Sequence, residues 1–203
     1  LGNGTKFPIS SRGVNPPFTM GHEPVGRVIA VGPLANPNLV GKSFVIYPWI
    51  SCEECEPCLN HLTQICDAPK IIGTRVDGAY ADHLLVPDEK YLVEYGDLDP
   101  YLACTMACSG LTVYSAIKKI DPKKLIGSDS ILIIGAGGLG LSAIILAKAL
   151  TKARIVVADI DQSKLEVARQ LGADFVVLSS AEEATGRVLE FTGEGNGLAA
   201  SLD

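Results

Sequence analysis

Basic residues are few and scattered in this sequence. Its 203 residues include 17 lysines and arginines against 23 aspartates and glutamates, which gives a formal net charge of −6. No cluster of basic residues is larger than a pair. The chain therefore lacks the electrostatic footprint of a nucleic-acid-binding protein and would repel a polyanion, so we expect no nucleic-acid partner.

Long continuous apolar runs are also missing. One uncharged stretch, residues 131–147, contains five glycine or serine residues and reaches only the short edge of the ~17–25 residues that a membrane span requires. The first six residues show no basic head followed by an apolar run, so they predict no secretory signal. We expect no membrane partner and a cytoplasmic protein in a reducing compartment, where clustered cysteines are typical of metal sites.

An initiator methionine is missing as well. Residue 1 is leucine and the first methionine is Met20. The chain stops at Asp203, directly after an apolar segment at 198–202 that has the composition of a strand. We expect the sequence to be truncated on both sides.

The first half of the chain has the pattern of a β-rich domain. Short β-branched segments alternate with glycine and proline turns, and we expect strands at 25–31, 43–47 and 79–87. A mostly helical stretch is expected at 101–120. From residue 130 onward the pattern changes to alternating strands and helices.

This alternation predicts a doubly wound α/β unit with a parallel sheet. A continuous apolar strand at 131–134, as a buried parallel sheet requires, precedes a glycine-rich turn. Two further strands are expected at 154–158 and 175–178, with helices at 139–150 and 163–171 between them.

Four of the six cysteines fall within one short polar stretch. They are Cys52, Cys55, Cys58 and Cys66. The spacing Cys-x2-Cys-x2-Cys-x7-Cys suits a closed tetrahedral zinc site, and the stretch has too few apolar residues to hold itself without a metal. A redox Cys-x-x-Cys pair or two disulfides are the alternatives, but Pro57 and the third cysteine fit a redox pair poorly. His61 competes as a ligand, although four sulfurs already fill the shell.

Two other groups are ambiguous when taken alone. His22 lies between Gly21 and Glu23, just before a predicted strand, but a lone histidine is more often a structural residue than a ligand. Cys108 is a small residue in Ala-Cys-Ser-Gly-Leu-Thr, where a cysteine usually just packs.

The glycine-rich turn matches G-x-G-x-x-G at Gly135, Gly137 and Gly140. It lies between a predicted strand and a predicted helix, which is the context that dinucleotide binding requires. Asp159 ends the next strand 24 residues after Gly135, near the ~20 expected for the acid that binds the adenosine ribose. A carboxylate there would repel a 2′-phosphate, so we expect NAD rather than NADP. A methyltransferase-type or FAD-type glycine turn is the alternative.

Together these motifs resemble the zinc-dependent medium-chain alcohol dehydrogenases of the medium-chain dehydrogenase/reductase superfamily, over essentially the whole chain. Gly21-His-Glu, the four-cysteine stretch, Cys108-Ser-Gly-Leu-Thr-Val-Tyr and Gly135-Ala-Gly-Gly-Leu-Gly follow one another in the family's order. The resemblance implies an α/β plus β fold. An incomplete GroES-like zinc-binding catalytic domain would span residues 1–110, and an incomplete Rossmann-type NAD-binding domain would span residues 111–203.

The resemblance also implies roles for individual residues. His22 and Cys108 are expected to ligate a catalytic zinc ion beside the carboxylate of Glu23, and the four clustered cysteines a structural one. Trp49 is expected to line the substrate pocket, with simple packing as an even alternative. The residues expected to contact NAD are Thr112, Gly135, Gly137, Gly138, Leu139, Gly140, Asp159 and Lys164.

The implied activity is reversible, NAD-dependent oxidation of a small alcohol to an aldehyde or ketone by zinc-assisted hydride transfer, in a homodimer or homotetramer. The family's first catalytic ligand is a cysteine upstream of Gly-His-Glu, and no cysteine precedes His22 here. We therefore expect these residues alone to be inactive. The alternatives are a non-enzymatic relative that binds zinc and nucleotide, and a reductase or polyol dehydrogenase of the same superfamily.

Overall fold

The structure, a computed structural model, describes residues 8–12, 14–193 and 197–203. The chain divides into two units, Leu1–Cys108 and Ser109–Asp203.

Short antiparallel strands organise the first unit. One sheet has the order β1-β2-β5, and β3 pairs with β4 in a second sheet. These strands are β1 (Val25–Arg27), β2 (Ser43–Ile46), β3 (Trp49–Ile50), β4 (Lys70–Ile71) and β5 (Leu92–Val93). The helices of this unit are α1 (Glu56–Leu59) and α2 (Pro100–Ala103), with 3-10 turns at Ile9–Arg12, Pro37–Leu39, Thr63–Ile65, Glu89–Tyr91 and Cys104–Ala107.

Strand β2 is central to this unit because both of its faces are covered. Ile46 packs in a cluster with Ile50, Ile72 and Tyr91. The neighbouring Val45 points to the opposite face and packs against alanines of the following helical turns. Successive residues of a strand alternate between faces, so the continuous apolar run in β2 reflects burial on both sides.

The strand predicted at 79–87 is wrong. Backbone N–H groups of residues 78–80 do bond to the carbonyls of Thr19–Gly21, but these contacts form no strand, and residues 79–87 are bends and coil. Leu84 and Val86 pack on the buried cluster of the first unit while Leu85 is 89% exposed. The alternation in the sequence therefore records one-sided packing without strand pairing.

The helical stretch predicted at 101–120 is present but interrupted. Helix α2 continues into the 3-10 turn Cys104–Ala107, and α3 (Ser109–Lys118) begins directly after Cys108. Cys108 has φ −130° and ψ −66°, outside the helical region. The break lies at the predicted zinc ligand.

The second unit is the predicted parallel sheet. Its strands are β6 (Ser130–Ile134), β7 (Arg154–Asp159), β8 (Phe175–Leu178) and β9 (Ala200–Leu202), in the order β8-β7-β6-β9. The intervening helices are α4 (Gly138–Leu150), α5 (Gln162–Gln170) and α6 (Ala184–Thr192), and a 3-10 turn lies at Pro122–Lys124. All pairings are parallel, which confirms the doubly wound α/β arrangement.

Burial in β6 and β7 explains their uninterrupted apolar sequences. Ile131, Ile155, Val156 and Val157 are fully buried, as strands covered on both faces should be. The uncharged stretch at 131–147 is divided between β6, the glycine turn and α4. In the described part of the chain, no helix is both long enough and apolar enough to cross a membrane.

Candidate functional site

The four clustered cysteines converge on one point. Their sulfur atoms all lie within 4.8 Å of one another, with Cys52 and Cys58 4.0 Å apart and Cys55 and Cys66 3.9 Å apart. In a tetrahedral zinc site with Zn–S bonds near 2.3 Å, the sulfurs lie about 3.8 Å from one another. All four cysteines are free thiols. The donor set and its spacing therefore fit zinc better than two disulfides.

Backbone amides surround this sulfur cluster. Hydrogen bonds from the backbone of Glu54 and Cys55 lower the pKa of the Cys52 thiol to about 6, whereas burial raises the pKa of the Cys58 thiol to about 12. The N–H of Cys52 in turn donates to the sulfur of Cys66 at 3.3 Å. Such amide donors stabilise thiolates, which is the form that binds a metal.

The cysteine lobe, residues 51–69, is the connection between β3 and β4, and apolar packing contributes little to it. Leu59 and Ile65 are 68% and 59% exposed. His61 is exposed and lies outside the converging group, as the interpretation with four sulfurs predicts. Contacts from outside the lobe reach Glu53, which pairs with Lys90 and accepts a 3.2 Å hydrogen bond from the hydroxyl of Tyr91.

His22 is held in one orientation by a backbone carbonyl. Its Nδ1 lies 2.8 Å from the carbonyl oxygen of Ile72. A carbonyl oxygen only accepts, so Nδ1 carries a proton, and in the neutral imidazole Nε2 then has the lone pair. The rings of His22 and Trp49 form a T-shaped pair with centroids 5.2 Å apart and planes at 85°. Metal-binding histidines are typically oriented by such a bond from the second nitrogen.

Glu23 lies beside a thiol that sequence reasoning left without a role. The pKa of Cys104 is raised, first by burial and then by the negative charge of Glu23. Cys108 follows four residues later, directly before α3. Among the residues that the structure describes, only the four-cysteine cluster brings three or more metal-ligand side chains together. The pairing of His22 with Cys108 on one ion stays a prediction.

The glycine turn has the geometry that a dinucleotide needs. Gly135 has φ +93°, a left-handed conformation that favours glycine, and its N–H bonds to the carbonyl of Ala158 at 2.7 Å. A Cβ at Gly140 would lie 1.8 Å from the carbonyl oxygen of Gly135. This close approach brings the start of α4 against the end of β6.

The N-terminus of α4 is open where a phosphate would lie. Gly137 is the N-cap of α4 and provides no side-chain cap. A Cβ at Gly137 or Gly138 would meet no atom within 4 Å, so a ligand has room to reach the backbone. The unpaired amides and the helix dipole favour an anion at such an end. The turn therefore fits a pyrophosphate.

Asp159 ties the glycine turn to the end of β7. Its carboxylate is buried, 7% exposed, and accepts the N–H of Ala136 at 2.6 Å and that of Asp161 at 2.8 Å. Burial alone would raise its pKa, but these two hydrogen bonds and the charge of Lys164 outweigh it and hold the pKa below its usual range. Sequence reasoning predicted a ribose-binding acid and missed this contact with the turn.

The remaining predicted cofactor residues lie on two helices and the turn. Thr112 is exposed on α3, and Lys164 is exposed on α5. Leu139 is 53% exposed in the first turn of α4. Their contacts with NAD stay predictions.

Asp159→Asn is expected to destabilise the second unit by about 1–3 kcal/mol at neutral pH, because a buried amide loses its charged acceptor. The pKa of Asp159 is lowered from 3.8, so the carboxylate contributes stability that is complete above this value and is lost as pH falls through the lowered pKa. Urea unfolding at neutral and at acidic pH checks this, with the exposed Glu182→Gln as the control. A difference between Asp159→Asn and the unsubstituted protein that persists unchanged in acid would contradict the assignment.

The matches to known families agree with this geometry. Residues 3–97 match the model of the alcohol dehydrogenase GroES-like domain, and residues 138–203 match that of the zinc-binding dehydrogenases. The chain belongs to the zinc-dependent medium-chain alcohol dehydrogenase family. The resemblance predicted from the ordered motifs is thereby confirmed, together with the GroES-like and Rossmann-type folds.

Curated relatives of this family are similar over almost the whole chain. An NAD-dependent alcohol dehydrogenase of Sulfurisphaera tokodaii is 36% identical over 198 residues, which are 96% of this chain and 55% of the relative. One from Saccharolobus solfataricus is 33% identical over the same shares. The chain thus spans about half the length of these relatives.

Solved structures of the family show the same fold. The D-arabinose dehydrogenase from Sulfolobus solfataricus has a TM-score of 0.85 at 28% identity, with 93% of this chain and 58% of that chain covered. The alcohol dehydrogenase from Aeropyrum pernix has a TM-score of 0.79 at 28% identity, with shares of 93% and 55%.

Proposed function

We propose that this chain supplies the zinc-binding and NAD-binding parts of an enzyme that reversibly oxidises a small alcohol to an aldehyde or ketone. Residues 1–110 act as the catalytic domain and residues 111–203 as the NAD-binding domain. The intact enzyme is a homodimer or homotetramer, and it works on a small-molecule substrate without a nucleic-acid or membrane partner.

The observation that carries this proposal is the fixed imidazole of His22. A metal-binding histidine is typically oriented by a hydrogen bond from its second ring nitrogen, so that the first offers a lone pair in a constant direction. The Nδ1 contact with Ile72 at 2.8 Å leaves Nε2 as that donor. His22 and Cys108 would hold the catalytic ion, and Cys52, Cys55, Cys58 and Cys66 would hold a structural one.

The chemistry of the reaction comes from the two bound groups, since zinc is a Lewis acid that lowers the pKa of an alcohol and NAD is the hydride acceptor. The chain's own residues bind and orient. Glu23 supplies negative charge beside His22, and Trp49, whose ring forms a T-shaped pair with that of His22, supplies an apolar wall for the substrate. The structural lobe takes no part in proton or hydride transfer.

Binding of NAD is supported by the turn and its acid. The open N-terminus of α4 would receive the pyrophosphate, and the carboxylate of Asp159, already aligned by two backbone amides, would accept the ribose hydroxyls. Lys164 and Thr112 would contact the ribose and the nicotinamide side. Because Asp159 keeps its charge at neutral pH, a 2′-phosphate would be repelled, which favours NAD over NADP.

A dehydrogenase assay of the complete protein tests the proposal. We expect NAD reduction with primary, secondary, aromatic or polyol alcohols and a fall of about 10²-fold or more in kcat/KM when His22→Ala removes a metal ligand. His61→Asn, at an exposed histidine outside the cluster, serves as the matched control. Turnover that prefers NADP, or full activity of His22→Ala, would contradict it.

A second candidate is a sugar or polyol dehydrogenase. It is favoured by the similarity to the D-arabinose dehydrogenase, whose TM-score of 0.85 exceeds the 0.79 of the Aeropyrum pernix alcohol dehydrogenase. The same assay separates the two, because a polyol enzyme turns over sugars and polyols with a higher kcat/KM than simple alcohols. A zinc- and nucleotide-binding relative without turnover would show neither activity.

A further inference from the structure

The loop that carries His22 is hydrogen-bonded through its backbone to a segment more than fifty residues away in sequence. The N–H of Gly78 bonds to the carbonyl of Thr19 at 2.7 Å, and that of Tyr80 bonds to the carbonyl of Met20 at 2.8 Å. The N–H of Ala79 bonds to the carbonyl of Gly21 at 3.0 Å. Every residue from Thr19 to Gly21 therefore has its carbonyl occupied by residues 78–80.

Two buried glycines allow the two segments to approach closely enough for these hydrogen bonds. A Cβ at Gly73 would lie 2.2 Å from the carbonyl oxygen of Gly21 and 2.9 Å from the backbone nitrogen of His22. A Cβ at Gly78 would lie 2.4 Å from the same oxygen and 2.5 Å from the Cα of Gly73. The carbonyl that precedes His22 thus lies in a notch between Gly73 and Gly78, with no room for any side chain.

Gly78 is the more informative of the two. Gly73 has φ +75°, so its backbone conformation also favours glycine, whereas Gly78 has no left-handed φ. At Gly78 a side chain is excluded by space alone, because the carbonyl oxygens of Gly21 and Met20 and the Cα of Gly73 all lie within 2.7 Å of the Cβ position. Since only lack of space requires glycine at this position, the position of the loop at Thr19–Gly21 depends on Gly78.

The segment also sets the chemistry of the ring. Ile72, 1% exposed, precedes Gly73, and its carbonyl oxygen accepts the hydrogen bond from Nδ1 of His22. Its own N–H is fixed by the carbonyl of Pro48 at 3.0 Å. Asp77 adds a side-chain contact between the two segments, because its Oδ1 accepts a hydrogen bond from the N–H of Thr19 at 2.8 Å.

We propose that Gly73, Gly78 and Asp77 are positioning residues that fix the tautomer and direction of the His22 imidazole and thereby set the metal affinity of its Nε2. They act through the backbone of Thr19–Gly21 and the carbonyl of Ile72, and they touch no reacting atom. The part of the proposal that concerns metal affinity rests on the proposed function, whereas the part that concerns the tautomer does not.

Gly78→Ala tests the notch, with Gly32→Ala as the matched control. A Cβ at Gly32 meets nothing within 4 Å, and Gly32 has no left-handed φ, so both variants make the same chemical change. We use 15N-histidine NMR of the complete protein, in which His22→Asn assigns the resonances. The unsubstituted protein and Gly32→Ala are expected to show His22 with the proton on Nδ1, and Gly78→Ala a mixture of tautomers. An unchanged tautomer in Gly78→Ala overturns the proposal.

Asp77 provides a milder test in case Gly78→Ala does not fold. Asp77→Ala removes the acceptor of the Thr19 N–H, whereas Asp77→Asn keeps an acceptor oxygen and should rescue the Nδ1 tautomer. The exposed Asp82→Ala, in the same segment, should behave as the unsubstituted protein. Equal effects of Asp77→Ala and Asp82→Ala overturn the role of Asp77.

Metal titration separates this proposal from the proposed function. Gly78→Ala should weaken zinc at the His22 site by about 10–100-fold, the range for loss of groups that orient a ligand, while the absorption of cobalt in the four-cysteine cluster stays unchanged and shows that the fold is intact. If the tautomer shifts but no second metal site exists even in the unsubstituted protein, positioning holds and the catalytic assignment of His22 fails. If a second site exists and its affinity is unaffected by Gly78→Ala, the positioning role fails.

Discussion

Gly140→Ala is expected to destroy NAD binding and to destabilise the second unit by about 3 kcal/mol or more, the upper end of overpacking effects. The added Cβ would lie 1.8 Å from the carbonyl oxygen of Gly135, which is a backbone atom and cannot rotate away as a side chain can. Relief requires the turn to move, and the turn is tied to the sheet by the 2.7 Å bond from Gly135 to Ala158. The phosphate-facing amides would move with it.

Gly186→Ala is the matched control for this prediction. Gly186 lies inside α6, has no left-handed φ, and a Cβ there meets nothing within 4 Å. Since alanine is the better helix former, we expect this variant to gain up to about 1 kcal/mol. Calorimetric titration with NAD and urea unfolding measure both effects. Normal NAD affinity in Gly140→Ala would show that the turn is not the dinucleotide site.

Removal of zinc from the four-cysteine cluster is expected to unfold the cysteine lobe. Structural zinc contributes about 10–16 kcal/mol of apparent binding energy in small zinc-dependent folds, and the lobe offers little in its place, since Leu59 and Ile65 are largely exposed. Cys58→Ser, at a cysteine only 8% exposed, should have the same result as chelation. Hydrogen exchange should then lose protection across residues 51–69.

His61→Asn is the control for the lobe, because asparagine tolerates the positive φ of 60° found at His61. It should leave zinc content and exchange protection unchanged. Protection that survives both chelation and Cys58→Ser would mean that the lobe folds without a metal. Loss of zinc in His61→Asn would mean that the histidine is a ligand after all.

Local patterns in the sequence predicted the parts of the site that are themselves local. The four cysteines lie within one loop, and the glycine turn lies between one strand and the next helix, so spacing alone indicates their chemistry. The acid of Asp159 could be predicted from its distance along the chain to the turn. Its hydrogen bond to Ala136 could not, because it depends on the register of β6 against β7.

The surroundings of His22 depend on contacts that no local pattern encodes. Ile72 lies 50 residues beyond His22, and the Thr19 amide reaches Asp77 across 58 residues. The glycines at 73 and 78 were the available signal, because isolated glycines just after the lobe mark a close backbone approach. The strand prediction at 79–87 failed in the same region, because Leu84 and Val86 are packed while Leu85 between them is exposed. This alternation has the period of a strand.

Zinc K-edge X-ray absorption of the complete protein, with metal content measured on the same sample, distinguishes one zinc site from two. We expect one zinc bound by sulfur alone, which is lost in Cys58→Ser, and a second zinc with mixed sulfur and nitrogen ligands, whose nitrogen contribution is lost in His22→Ala. A single zinc site, or a spectrum that His22→Ala leaves unchanged, would contradict this expectation.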